Sequence, residues 1–437
     1  MKRKLYEHLK KWSDDNNRKP LLIVGARQVG KTWIIRSFCE EIYSDWIYIN
    51  LEQQSECVDI FEKGLDPESI LRQLGQLFGR NIDASCTIVI DEIQKSEKAI
   101  TALKYFCESD KDYRIIGAGS LLGVKINRFD SSFPVGKVEI CHMYPMDFSE
   151  FMDAVGEQIL WEGICEAYGN RAPMAEGIHR KALRLYEDYL YIGGMPEAVA
   201  DYIANGMDTE KSDSRIYEDI AVSYQADMTK YTTGAAEGVR ISEVYRSVPA
   251  QLARENPKFK YKEVRANANK RDFRTAIDWL DSSGLVYRVK DVKLPQIPIK
   301  AYEDEDRFKL YLSDVGLLSH MVRMNRYTIG SSEPNIYRGV LTENYVIQQF
   351  ASAGLNLHYF KPDESMEIDL FIDGQDENGL IPVEIKAGRR RRSTSLNNYR
   401  KKYEPKMAMK ISKDNYGESN GILTIPLYAV GCMVEGI

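Results

Sequence analysis

No apolar stretch in these 437 residues approaches the ~20 residues that a membrane-spanning helix requires. The longest candidate, residues 421–430, is short and broken by Pro426, so it reads as a final strand or two. The basic opening MKRKLYEHLKKW is followed by no apolar core, and no secretory signal is expected. Cysteine is sparse: seven residues, an odd number, none in a C-x-x-C pair. That pattern argues against zinc and against a disulfide framework, and leads us to expect reduced thiols in a cytosol. Five histidines, widely separated, offer no metal cluster. Internal repeats and low-complexity tracts are also missing. What is present is ordinary for a soluble globular chain, 43% hydrophobic and 28% charged, long enough for several domains.

The net charge of −6 hides a regional bias. Residues 258–274 carry seven basic side chains against two acidic, and residues 386–406 carry nine against one. An acidic chain with two concentrated basic segments has placed its positive field locally, the pattern of a nucleic-acid partner. A solvated loop or helix face is the plainer reading of either segment alone.

Residues 25–32 read GARQVGKT, a complete G-x-x-x-x-G-K-[ST] phosphate loop. The apolar run Leu21-Leu22-Ile23-Val24 before it reads as a buried strand, and Trp33 to Phe38 after it as a helix. Gly25, Ala26, Arg27, Gln28, Val29 and Gly30 would turn successive N–H groups toward phosphates, with the helix N-terminus adding its positive end. Lys31 would reach the β- and γ-phosphates of ATP, and the Thr32 hydroxyl would ligate Mg²⁺.

Some sixty residues on, Thr87-Ile88-Val89-Ile90 ends in Asp91-Glu92, the hhhhDE pattern of a second strand beside the phosphate loop. Asp91 would hold Mg²⁺ through water, and Glu92 would serve as general base for attack on the γ-phosphate. A third strand, residues 113–118, leads into Gly119-Ser120. Ser120 sits where a γ-phosphate sensor belongs, although serine in a Gly-rich turn is also ordinary turn chemistry.

Residues 1–147 alternate strands and helices, which predicts a parallel sheet between helices. Residues 148–238 read as a helical lid, interrupted by a tight Gly193-Gly194 turn. Residues 239–304 read as a winged helix of three short helices and a strand. On it Lys270, Arg271 and Arg274 would face DNA, with Lys260 and Lys262 on phosphates; a winged helix used for protein packing is the alternative.

Residues 305–437 bring a second chemistry. Glu343 lies on a helix, Asp369 on the strand 367–372, and Glu384-Ile385-Lys386 on the strand after it. Asp369 followed by E-x-K has the spacing of a nuclease site. Glu343, Asp369 and Glu384 would bind Mg²⁺, and Lys386 would act on the attacking water or the developing charge. Arg389-Arg390-Arg391-Arg392 would hold the nucleic-acid backbone.

Taken together, GARQVGKT, IVIDEIQ, GAGSLLG, YPMDFSEF, YIGGMPEAV and EIDLFI…VEIKAG resemble a prokaryotic family of AAA-type P-loop ATPases. Its members carry a C-terminal restriction-endonuclease-like domain of unassigned function. The resemblance covers nearly the whole chain. It implies nucleotide work by Lys31, Thr32, Asp91, Glu92 and Ser120, and a nuclease-like fold with Asp369, Glu384 and Lys386 as its site. The family's usual Gly-Arg pair before the Tyr-Pro segment is here Gly136-Lys137, replacing a planar guanidinium with a point charge. The expected architecture is therefore α/β: a P-loop NTPase sheet, a helical lid, a winged-helix segment and a restriction-endonuclease-like α/β domain. ATP and Mg²⁺ are the expected cofactors and DNA the expected partner, with a homo-oligomer left open. The competing reading is a nucleotide-controlled protein-interaction switch whose nuclease fold is inert.

Overall fold

The computed structural model describes residues 1–437 other than 121, 128–132, 231–233, 332, 334, 375–378, 389–392 and 436–437. The tract Arg389–Arg392 thus lies outside the described residues. The chain divides into two compact units, Lys2–Tyr144 with Ser282–Gly284, and Met1 with Pro145–Asp281 and Leu285–Ile437.

The first unit is built on five parallel strands: β1 (Leu21–Val24), β2 (Trp46–Asn50), β3 (Thr87–Asp91), β4 (Ile115–Gly119) and β5 (Glu139–His142). Their order is β2-β3-β4-β1-β5. The central strands β1, β3 and β4 are buried at every residue, which is why their sequences, LLIV, TIVID and IIGAG, are aliphatic or small apart from Thr87 and Asp91 at the ends of β3. The outer strands β2 and β5 alternate or stay half-exposed, and their sequences admit Trp, Tyr, Glu and His. Helices enter with explicit caps. Asp66 accepts from the Ser69 amide ahead of Pro67, and the Ser96 hydroxyl accepts from the Ala99 amide. The strand carrying Asp91 is not β1's neighbour in the sheet, since β4 lies between them.

The second unit opens with five helices, Phe148–Ala154, Gln158–Gly169, Glu176–Ile192, Pro196–Ala204 and Arg215–Lys230. Asp147 and Glu150 close a reciprocal capping box on the first of them. Next come helices Ala235–Leu252, Tyr261–Val264 and Lys270–Ser282, then the antiparallel pair β6 (Val286–Val292) and β7 (Glu303–Leu312). The first of these helices is 18 residues long, not short as its sequence suggested. β7 also runs straight through the domain boundary expected at residue 304.

Two sheets follow. One has the order β7-β6-β8-β9, with β8 at His358–Asp363 and β9 at Met366–Ile368. The other is mixed, β10-β11-β12-β14-β13, with β10 at Leu370–Asp373, β11 at Leu380–Ile385, β12 at Met409–Ser412, β13 at Gly417–Ser419 and β14 at Ile422–Pro426. The single strand expected over 367–372 is therefore two strands, broken at Asp369. Phe360, Ile368, Phe371, Leu396 and Tyr399 pack into one core shared by both sheets. Two cysteines correct the expectation of reduced thiols: Cys165 is bonded to Cys432. The partners stand 267 residues apart, a separation that no spacing rule reads.

The Gly193-Gly194 turn has a physical reason. Gly193 adopts φ +70°, and a Cβ there would meet Asp314 Oδ1 at 2.4 Å. The Gly194 amide donates to Asp314 Oδ2 at 2.6 Å, and the Leu317 amide to Oδ1 at 2.9 Å. Burial raises the Asp314 carboxyl to about 6 against the donors that lower it. The folded-state value lies above the unfolded one, so the folded chain holds this proton more tightly. The stability it contributes is full below about pH 4, and about 3 kcal/mol of it is lost as pH rises through 6. Denaturant titrations of wild type and Asp314→Asn should therefore give a stability difference that shifts against wild type from pH 4 to 6.5. A difference independent of pH would refute this.

Candidate functional site

In the first unit the phosphate loop turns on two left-handed residues, Gln28 at φ 64° and Gly30 at φ 95°. Gly25 has no room for a side chain: a Cβ would lie 2.1 Å from the Met143 carbonyl oxygen. Arg3 braces the loop from outside, donating to the Val29 carbonyl at 2.7 Å and the Tyr144 carbonyl at 2.7 Å. Lys31 is buried, and its ammonium donates to the carbonyls of Gly25 at 2.8 Å and Ala26 at 2.6 Å. A cation is thus held within the curl of the loop, where phosphates need one.

Thr32 Oγ1 donates to Asp91 Oδ2 at 2.7 Å, and the Tyr48 hydroxyl donates to the same oxygen at 2.7 Å. The second carboxylate oxygen accepts from the Glu92 amide at 2.9 Å. Burial, followed by the hydrogen bond to Asp91, pushes the Tyr48 phenol up to about 12. So Asp91 comes to the loop through its side chain although its strand is one place removed from β1. Thr32 and Asp91 present adjoining oxygen donors, which suits a hard divalent cation such as Mg²⁺.

Glu92 follows in the left-handed region, φ 51°, and accepts from the Gln94 side-chain amide. A Cβ on Gly119 would fall 1.9 Å from Gln94 Oε1, so that glycine leaves space for the glutamine. Ser120 is buried, and its hydroxyl finds no hydrogen-bond partner among the described residues. Lys137 ion-pairs with Glu108 at 3.1 Å on the unit's surface. The sequence had missed Arg3, Tyr48 and Gln94. Gln94 alone carried a signal, inside IVIDEIQ.

In the second unit the register of β10 on β11 pairs Leu370 with Val383. Asp369 directly precedes β10 and Glu384 directly follows Val383 on β11, so the segments that carry the two carboxylates lie side by side. Asp369 accepts from the Ile385 amide at 2.7 Å. Glu384 is 2% exposed; its Oε1 pairs with Lys386 at 2.9 Å, while Oε2 has no partner among the described residues. A buried carboxylate oxygen without a donor is costly, and a cation would satisfy it.

Glu343, on the helix Ile336–Ser352, does not complete that set. It accepts from Lys309 at 2.9 Å and from the Tyr311 hydroxyl. Among the described residues no group of three His, Cys, Asp or Glu side chains is gathered for a metal. Glu343 and Lys386 do line a common cavity of about 680 Å³, with Glu187, Arg338 and Lys413 on its other walls. On the helix Lys270–Ser282, Lys270 is bonded to Asp306 and Arg274 lies 3.9 Å from Asp278, with Arg271 exposed beside them. Two of the three expected DNA-facing cations are thus already matched to acids. Among the described residues no helix is long and apolar enough to cross a membrane.

Comparison with known proteins adds three family matches. Residues 17–152 match the AAA domain, residues 183–328 a domain of unknown function (DUF8612), and residues 338–430 another (DUF4143). No match is found among curated proteins. Among solved structures, the chain is similar to the Walker-type ATPase PABY2304 of Pyrococcus abyssi at 15% identity and TM-score 0.45. That likeness covers 74% of this chain and 95% of the other. The Aeropyrum pernix ORC2 protein is similar at 13% identity and TM-score 0.36, over 75% of this chain and 93% of that one. The AAA match spans the strands, loop and acidic pair just described, and the chain carries an AAA-type P-loop ATPase domain that binds and hydrolyses ATP.

Proposed function

We propose that Lys31, Thr32, Asp91, Glu92 and Ser120 divide the nucleotide work, and that the ATPase serves a nucleic-acid-directed C-terminal site. Lys31 contacts the phosphates and Glu92 takes the proton of the attacking water, while Ser120 reads the γ-phosphate. Thr32 and Asp91 hold Mg²⁺, which when bound neutralises phosphate charge. The 2.7 Å contact of Thr32 with Asp91 is the support for this division, because it joins loop and acidic strand at one point.

The second site takes its support from the Glu384 oxygen that has no partner among the described residues, next to the Ile385 amide from which Asp369 accepts. Asp369 and Glu384 would hold a divalent cation, which would supply positive charge beside a phosphodiester. Lys386 sits beside them as the ammonium that acts on water or on developing charge. Helix Ile336–Ser352, strands β8 to β11, helix Thr394–Tyr403 and β12 form the restriction-endonuclease-like part, preceded by lid and winged-helix parts. In this reading the boundary between the winged-helix part and the restriction-endonuclease-like part falls ahead of β7 rather than at residue 304.

Purified protein with Mg²⁺ or Mn²⁺, with and without ATP, should cleave single- or double-stranded DNA. Asp369→Ala and Glu384→Ala should lose the metal and the cleavage while leaving ATP turnover nearly intact. Lys386→Ala should keep the metal and lose cleavage. Absence of cleavage under every condition, with no metal seen by calorimetry, would leave the interaction switch as the function. Glu343's commitment to Lys309 is the observation that favours that second reading.

A further inference from the structure

Lys309 belongs to β7, outside the stretch in which the nuclease pattern is written, yet it reaches the middle of the acidic constellation. It is 1% exposed. Its ammonium lies 2.9 Å from Glu343 Oε1 and 2.8 Å from Glu367 Oε1, and 4.9 Å from the centre of the Tyr359 ring. Burial works against its charge, but Glu343, Tyr311, Glu367 and Asp369 around it raise its pKa well above the ordinary value. It stays a cation. Glu367 is shared with Lys361 at 2.8 Å, and the Tyr311 hydroxyl closes on Glu343. Glu343 therefore points at an ammonium and a phenol. The missing three-carboxylate group has its cause here, since these carboxylates converge on a lysine instead of on open space.

We propose that Lys309 is a resident cation occupying the seat a metal would take at Glu343 and Glu367. The C-terminal site then accepts one divalent ion at most, through Asp369 and Glu384, and Glu343 is no metal ligand. An ammonium and a divalent cation on one carboxylate repel, and the lysine is tethered while the metal must be drawn from water. The roles given to Asp369 and Glu384 rest on the function proposed above; the role given to Lys309 rests on its own contacts.

The test is calorimetric titration of the full chain with Mn²⁺, without nucleotide, taking as C-terminal only the ion lost in Asp369→Asn. Wild type should bind one such ion. Glu343→Gln, which still accepts from Lys309 and Tyr311, should keep that ion with affinity changed less than about twofold, an order-of-magnitude allowance. Loss of the ion in Glu343→Gln overturns the proposal. Lys309→Met removes the resident cation and keeps the side-chain bulk. It should take up one additional ion and gain thermal stability in Mn²⁺, while wild type gains none at that position. Unchanged stoichiometry in a folded Lys309→Met overturns the proposal; if that variant does not fold, Glu343→Gln decides alone. Should wild type bind no C-terminal ion, the Asp369–Glu384 reading fails by itself. Lys309 is then judged on whether Lys309→Met gains an ion.

Discussion

Glu92→Gln should bind ATP with near wild-type affinity and hydrolyse it about 10²- to 10⁴-fold more slowly, the usual contribution of a positioned base. The geometry makes the comparison clean. Glu92 is half-buried at φ 51°, and its carboxylate accepts from Gln94. A glutamine has the same shape, tolerates the same backbone no worse, and keeps a carbonyl oxygen for the Gln94 amide. What disappears is the capacity to take a proton. Asp91, Thr32 and Tyr48 do not depend on that carboxylate, so the Mg²⁺ seat should survive. Phosphate release under saturating ATP reads the rate, and a fluorescent ATP analogue reads the affinity. Turnover at the wild-type rate would sink the assignment and turn attention to Ser120, whose buried hydroxyl has no partner among the described residues.

Lys31→Ala should act earlier, on binding. The ammonium is buried among loop carbonyls, and truncating one partner of a buried charged contact costs about 2–5 kcal/mol, or about 30- to 5,000-fold in affinity. Two carbonyls, of Gly25 and Ala26, also lose their donor. The loop should hold nonetheless, because Arg3 braces it at Val29 and Gly25 is pressed against Met143. Melting temperature without nucleotide should therefore change little, while nucleotide-induced stabilisation vanishes. A variant that still gains stability from ATP would show that the backbone amides alone carry the affinity.

The ATPase unit was legible because its signals are local. A phosphate loop, a strand ending in Asp-Glu and aliphatic runs for the covered strands each announce themselves within about eight residues, the length of a strand and its turn. Strand order was not legible: Thr87–Asp91 reads as lying beside the loop, and only tertiary structure inserts β4 between them. In the second unit Asp369, Glu384 and Lys386 were singled out by spacing, and the structure places Asp369 against the Ile385 amide and Glu384 against Lys386. Glu343 was found on the correct helix but its partner was not. Lys309 precedes it by 34 residues on a strand that, in sequence, belongs to a hairpin. The same blindness hid the pairing of Cys165 with Cys432. Contacts across long separations leave no periodicity to read.

The path of β7 bears on how this protein can be taken apart. A shortened version beginning at residue 313 would keep every residue of the D…E-x-K pattern and look complete as a sequence. It would nonetheless lose both β6 and β7, expose the edge of β8 that β6 pairs with, and leave Glu343 and Glu367 without the ammonium that lies between them. Glu343, Glu367 and Asp369 would then crowd one place, with Lys361 beside Glu367 to offset them. Such a fragment would be expected to aggregate, or to fold only around added metal, and its behaviour would misreport the parent. The smallest portable piece of the C-terminal chemistry starts before Val286, so that the hairpin travels with the site it completes.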